Sequence, residues 1–225
     1  MSTIKISPST INLLKNFSTI NKSIVIKPGN TISTLSINKN ILAKASIIES
    51  FPSEIAIYDL GVFLGGLSLF KSPVFDCSDT KKLIVRDENT KAKSVFYYAD
   101  SSIITTPPEK DIQLPSEDVK FTLDTDTLSQ LLRAAGVYNV PDMCLYSQEG
   151  TLLLSVVDKK NDTSNIFSLP VGESETDDFC FCFKVENLKL LPGSYDVTIS
   201  KPKVAKFVGK TTDVSYWIAL EPDSN

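Results

Sequence analysis

Cys180 and Cys182 stand two residues apart in the apolar run Phe179–Phe183, so on an extended strand both thiols point to one face. That spacing could offer a metal ion two soft ligands. Zinc sites, however, complete their tetrahedron with further Cys or His at characteristic spacings, and the chain has no histidine. The pair is therefore read first as two small buried hydrophobes. Cys77 and Cys144 complete the set of four cysteines. A chain of 225 residues can bury a core without disulfide staples, and in a reducing compartment all four are expected as free thiols. Lack of histidine also removes the commonest general base. Paired carboxylates remain, but there is no phosphate-cradling glycine loop, no Walker lysine and no nucleophile elbow. The expectation is a protein that is not an enzyme, with no metal and no cofactor.

The charge balance narrows the partners. Lys and Arg total 23 against 27 Asp and Glu, a formal net charge of −4, which is the wrong sign for clinging to nucleic acid by bulk electrostatics. If DNA is a partner, the contact must be local or topological. Hydrophobic residues at 42% and charged residues at 22% fit a globular chain and exclude a disordered one. The longest strongly apolar stretch, Leu60 to Phe70, falls short of the roughly 20 residues a membrane helix needs. Met1 to Lys15 alternates polar and apolar residues, so no signal peptide is expected and the protein should stay in a cytoplasm.

Local signals place the elements that would carry any site. Ser7 and Pro8 supply a cap and a favoured first helical residue, and Ile11, Leu13, Leu14 and Phe17 make an apolar stripe over about 8–20. Strands are predicted over 23–27, 31–37, 41–47 and 54–58, separated by Gly, Pro and Asn turn formers. Asp59 can cap a second helix over 60–69, followed by strands over 74–77, 82–87 and 94–99. Residues 100–118 are rich in Ser, Thr, Pro and charge and read as a linker. The plan then recurs. A strand over 119–123 leads into a helix over about 125–135, capped by Asp124 or Thr125 and stopped by Gly136. Strands follow over 143–147, 151–157, 165–171 and 179–184, then a short helix over 185–191 ending at Pro192 and Gly193. Strands over 194–200, 203–207 and 214–220 close the chain.

The halves can be superposed in sequence: Leu13-Leu14-Lys15 matches Leu131-Leu132-Arg133, and Asp59-Leu60 matches Asn187-Leu188. Two α+β domains are expected, 1–106 and 119–225, joined by a connector over 107–118. Chance likeness between two α+β halves is the competing explanation.

Ser9-Thr10-Ile11-Asn12-Leu13-Leu14-Lys15-Asn16-Phe17 with Thr19-Ile20-Asn21 resembles the first helix of the DNA sliding clamps of T-even-like bacteriophages. Ala56-Ile57-Tyr58-Asp59-Leu60, Phe63-Leu64-Gly65 and Leu67-Ser68-Leu69 resemble the strand and second helix of their first domain. Pro192-Gly193-Ser194-Tyr195, Ala205-Lys206-Phe207 and Ala219-Leu220-Glu221 with Asp223-Ser224 resemble the closing strands. The resemblance spans nearly the whole chain, in order. It implies a DNA-clamp fold in the α+β class, with two similar domains, each with two helices packed on antiparallel sheets, assembling into a closed ring of three identical subunits. It also implies no catalytic site and no cofactor. The implied partners are double-stranded DNA held topologically, the phage DNA polymerase, a clamp-loader ATPase and late-transcription factors, with no membrane, in the cytoplasm of an infected bacterial host. The runner-up is a β-rich module of a phage tail or baseplate.

The resemblance also assigns residues. Lys15, Arg133 and Lys189 match basic positions of the family's inner helices, and Lys22 lies just past the first; these are the DNA-facing candidates. Relatives carry a second base where this chain has Gly136, a loss that Lys5 or Lys71 could offset. In Lys110-Asp111-Ile112-Gln113-Leu114-Pro115 the family's apolar-x-apolar-Pro connector is visible, making Ile112 and Leu114 candidate walls of a partner-peptide pocket, with Phe207 and Trp217, on the last strands, as further candidates. For ring closure the candidates are Phe96, Tyr97 and Tyr98 against Ile166 and Phe167. The plainer reading of each is a solvated charge or a core residue.

Overall fold

Ser7 accepts the Thr10 N–H at 3.2 Å, and Pro8 opens helix α1 (Pro8–Ile20), which buries Leu13, Leu14, Phe17 and Ile20. The cap satisfies one of the orphan donors every helix leaves at its start. Glu49, itself buried, anchors this end by accepting the Ser7 N–H and the Thr10 hydroxyl, each at 2.6 Å. Burial alone would raise its carboxyl pKa, but these bonds win and hold it below the usual value. At the other end the Asn21 side-chain amide donates to the Leu35 carbonyl at 2.9 Å.

The computed structural model describes residues 3–110, 112–175, 178–201, 203–222 and 224; Asp111 and Asp223, named above in the connector and the closing segment, lie outside them. The chain divides into two compact units, Met1–Lys110 and Asp111–Asn225. In the first, α1 follows β1 (Thr3–Lys5), a strand too short for periodicity to reveal. Then come β2 (Ile24–Ile26), β3 (Gly29–Leu35), β4 (Ile41–Phe51) and β5 (Ile55–Ile57). Helix α2 (Leu60–Leu67) starts where Asp59 accepts the Val62 N–H at 2.9 Å, and β6 (Pro73–Asp76), β7 (Lys82–Asp87) and β8 (Lys93–Tyr97) complete the unit. β1, β6, β7 and β8 lie side by side in that order, all antiparallel; β3 pairs with β4 and β2 with β5. Phe63 of α2 meets Phe75 of β6 and Phe96 of β8 edge-on, with centroids 5.8 and 4.8 Å apart, so the helix is fixed to the sheet through one ring.

The second unit opens with β9 (Val119–Leu123) and α3 (Thr125–Tyr138), whose cap is Asp124, accepting the Thr127 N–H at 2.8 Å. Gly136 does not stop α3. A helical glycine costs only about 1 kcal/mol, and the helix runs on to Asn139, which ends it in the left-handed region at φ 53 that asparagine tolerates. β10 (Asp142–Gln148), β11 (Thr151–Val157), β12 (Phe167–Glu173) and β13 (Cys180–Lys184) form one sheet in the order β12-β11-β10-β13. β14 (Tyr195–Ser200), β15 (Val204–Gly209) and β16 (Val214–Ala219) follow, running side by side as β16-β15-β14-β9. Phe183, Phe207, Tyr195 and Tyr216 join the two sheets' apolar faces in a chain of edge-on rings.

Two expectations fail here. The helix expected over 185–191 is a single 3-10 turn, Val185–Asn187, preceded by Lys184, whose side chain makes no capping bond. The four thiols are not all free, because Cys144 and Cys182 form a disulfide. They are 38 residues apart in sequence but directly opposite in the β10–β13 register, a neighbourhood that local pattern cannot show.

Candidate functional site

Within the two helices of the first unit the one charged residue is Lys15. Neither α1 nor α2 contains an acidic residue, and Lys15 projects from the exposed side of α1. Lys22 lies just past the helix, where its carbonyl accepts the Leu60 N–H at 2.7 Å, tying the end of α1 to the start of α2. Its ammonium sits 5.5 Å over the Tyr58 ring, which steers it without neutralising it. In the second unit Arg133 is exposed on α3, whose only acid, Asp126, is in the first turn. Lys189 corrects an expectation: it is half-buried and lies beyond the 3-10 turn, so it does not stand on a helix face. Of the two bases expected to offset Gly136, Lys5 is engaged by Glu88 at 2.6 Å and Lys71 is exposed.

Sheet edges are the second feature. β8 ends the order β1-β6-β7-β8 and β12 ends the order β12-β11-β10-β13, so among the described residues each bonds to a strand on one side only. An unpaired edge is a template for another strand unless something covers it. The opposite edge, β13, is covered: Cys182 accepts the Glu221 N–H at 2.8 Å through its carbonyl and donates its own N–H to Ser224 Oγ at 3.0 Å. Along β8, Phe96 turns inward onto Phe63 while Tyr97 is 76% exposed. Tyr98, just past the strand, is half-buried, and its hydroxyl is buried without a hydrogen-bond partner; burial pushes its pKa up to about 12. Ile166, at the entrance to β12, is 60% exposed and Phe167 is half-buried. Beside β8 lies a groove of about 260 Å³ walled by Tyr58, Val62, Val95 and Tyr97.

Comparison with known proteins decides what such a chain is. Residues 5–106 match the family model of the DNA polymerase processivity factor, and residues 120–222 match that of the gp45 sliding clamp, C-terminal. The sliding clamp of Vibrio phage KVP40 is 34% identical, over 97% of this chain and 99% of that one. The chain belongs to the phage sliding-clamp family. The sliding clamp of Enterobacteria phage T4 is 30% identical, over 98% of both chains. Among solved structures, A. fulgidus PCNA, bound to the C-terminal region of FEN-1, superposes with a TM-score of 0.73 over 100% of both chains at 12% identity. The Helicobacter pylori beta clamp, solved with a DNA ligase peptide, gives 0.70 at 14% identity, over 97% of this chain and 65% of that one. The fold is thus that of the DNA clamps, and a sliding clamp is a non-enzymatic processivity factor.

The structure removes one wall of the clamp's expected peptide pocket. Ile112 and Leu114 are half-buried, with Gln113 and Pro115 exposed between and after them. Phe207 is 2% exposed and packs on Phe183 and Tyr195, so it is a core residue and not a pocket wall. In the β15–β16 register Phe207 faces Tyr216 while Lys206 faces Trp217. Adjacent strand positions point to opposite faces, so Phe207 and Trp217 cannot wall one pocket. Trp217 is half-buried, with the Lys206 ammonium 5.3 Å over its ring and its indole N–H buried without a hydrogen-bond partner.

Sequence reasoning missed two residues at this clamp's edge strand. Gly66 of α2 seats the Phe96 ring, which would stand 2.6 Å from an added Cβ; the glycine pair in Leu64-Gly65-Gly66-Leu67 was the available signal. Val62, 67% exposed beside the groove, stands out as an apolar residue on a helix's solvent side.

Proposed function

We propose that three copies of this chain close into a ring around duplex DNA, β8 of each copy pairing with β12 of the next, and that the ring tethers the replicative polymerase. The observation that carries this reading is that one sheet of each unit ends in a strand bonded on one side only, β8 in the first and β12 in the second, next to the exposed Tyr97 and Ile166. Two different edges joined head to tail make a heterologous contact, and a closed ring is the assembly that leaves none of them open. Phe96, Tyr97 and Tyr98 against Ile166 and Phe167 are the proposed contact residues. The net charge of −4 is compatible with this role because a ring stays on DNA by topology. Its bases need only attract phosphates diffusely, without reading sequence. Lys15, Lys22 and Arg133, with Lys189 beyond the 3-10 turn, are the proposed DNA-facing set.

The connector residues Ile112 and Leu114, with Trp217, are proposed to receive a short apolar peptide from the polymerase. An ATP-driven loader and late-transcription factors are the further clients that family membership suggests, acting in the cytoplasm of an infected bacterium. Retention on DNA tests the proposal. Loaded by its cognate loader, the protein should stay on a nicked circle and leave once that circle is linearised; equal retention on both substrates would overturn topological binding. In the same assay, changing Lys15, Arg133 and Lys189 together to Glu should reduce loading most at low salt, where repulsion is least screened.

A further inference from the structure

Cys180 and Cys182 offer two soft ligands on one strand face, and the fold supplies the third. The β10–β13 register sets Cys144 directly opposite Cys182, and the three sulfurs all lie within 4.8 Å of one another. We propose that Cys144, Cys180 and Cys182, once the Cys144–Cys182 disulfide is reduced, form a tri-thiolate site for one thiophilic metal ion, with Zn2+ as the expected occupant.

Spacing supports this. Thiolates held tetrahedrally at about 2.3 Å from zinc are about 3.8 Å apart, and the Cys180 and Cys182 sulfurs are separated by 3.7 Å. Two ligands sit on one strand and the third on its hydrogen-bonded neighbour, so the sheet ladder itself orders the set before any ion arrives. Cys144 and Cys182 are 4% and 6% exposed, which shields the metal–sulfur bonds, while Cys180 is half-exposed and leaves an approach for a water as fourth ligand. Three thiolates and a dication leave one net negative charge. That charge is met by solvent at the half-exposed Cys180, since Lys184, one register step along the same face, is already paired with Asp142.

Disulfide and metal site exclude one another, because the same two sulfurs serve both. A phosphine reductant links the two states. Its phosphorus attacks one sulfur, the other leaves as a thiolate, and water then converts the phosphorus to its oxide and leaves two thiols. The metal ion displaces the thiol protons on binding.

The test uses the full-length protein, reduced with a phosphine without oxygen and titrated with Co2+ and then Zn2+. One Co2+ per chain should bind with a sulfur-to-cobalt charge-transfer band and the visible bands of a tetrahedral site, and Zn2+ should displace it. Cys180→Ser should weaken binding about a hundredfold or more, since even a supporting residue outside the ligand set commonly contributes tenfold to a hundredfold. Cys77→Ser should leave it unchanged, and the oxidised protein should show no band. Absence of a saturable one-to-one band, or unchanged affinity in Cys180→Ser, would overturn the site. Should Cys180→Ser fail to fold, the parent decides. Zn2+ must protect three of its four thiols from a thiol reagent, and four reactive thiols in its presence would sink the proposal.

Discussion

The two units begin alike and part at their second helix. Each opens with a strand, a capped helix and antiparallel strands. In the first unit Asp59 caps α2, which then plants Phe63 between Phe75 and Phe96. In the second, the corresponding stretch after β13 begins at Lys184, makes no capping bond and yields one 3-10 turn. Helix nucleation fixes several residues for a single bond, so a short segment without a cap does not propagate. An ammonium has no acceptor to offer a helix N–H; that of Lys184 bonds Asp142, a carboxylate with no exposure, at 2.5 Å. That bond raises the Lys184 pKa, against the pull of desolvation, with the charges of Asp142 and Glu221 adding to it. One unit thus secures its second segment by a helix and an aromatic hub, the other by rings between sheets and an ion pair.

The difference can be broken at its strongest points first. Phe63→Ala should cost about 3–5 kcal/mol of stability in chemical denaturation, because the ring is 1% exposed and fixes α2 to its sheet; a loss under about 1 kcal/mol would show that α2 is held by other contacts. Lys184→Met should cost about 3 kcal/mol by leaving the Asp142 carboxylate without its counter-charge, and Asp142→Asn in the same chain should recover part of that loss. If the double variant is no more stable than Lys184→Met, the ion pair is not the fastening of this segment. A smaller effect, about 1 kcal/mol, is expected for Asp59→Ala, with a matching loss of helical signal. Helicity equal to the parent's would deny the cap its role in separating the two units.

The smallest effect depends on pH and concerns the anchor of α1. Glu49 titrates below its usual value in the folded chain, so its stabilisation is fully present above the ordinary glutamate pKa of about 4.3. It is lost as pH falls through the folded value. The stability advantage of the parent over Glu49→Gln should therefore be constant near neutrality and shrink in acid below about pH 4. An advantage that does not change with pH would assign the anchor to packing alone.

What the sequence determined by itself is what depends on neighbours along the chain. Ser7-Pro8 and an apolar stripe set α1, Asp59 set the start of α2, and strand β11 falls where an apolar run and its flanking turn residues put it. Likeness to the phage clamps was legible for the same reason, in short runs read in order. Tertiary structure decided what depends on register and on competition between distant groups. It carried α3 through Gly136 to Asn139, ended the segment after Lys184 at one 3-10 turn, and set the Lys184 ammonium on the distant Asp142. It turned Phe207 into the core while leaving Trp217 on the other face, and set Cys144 against Cys182 across a strand pair. Periodicity tells which face a residue shares, but only the folded sheet fixes which distant residue it faces.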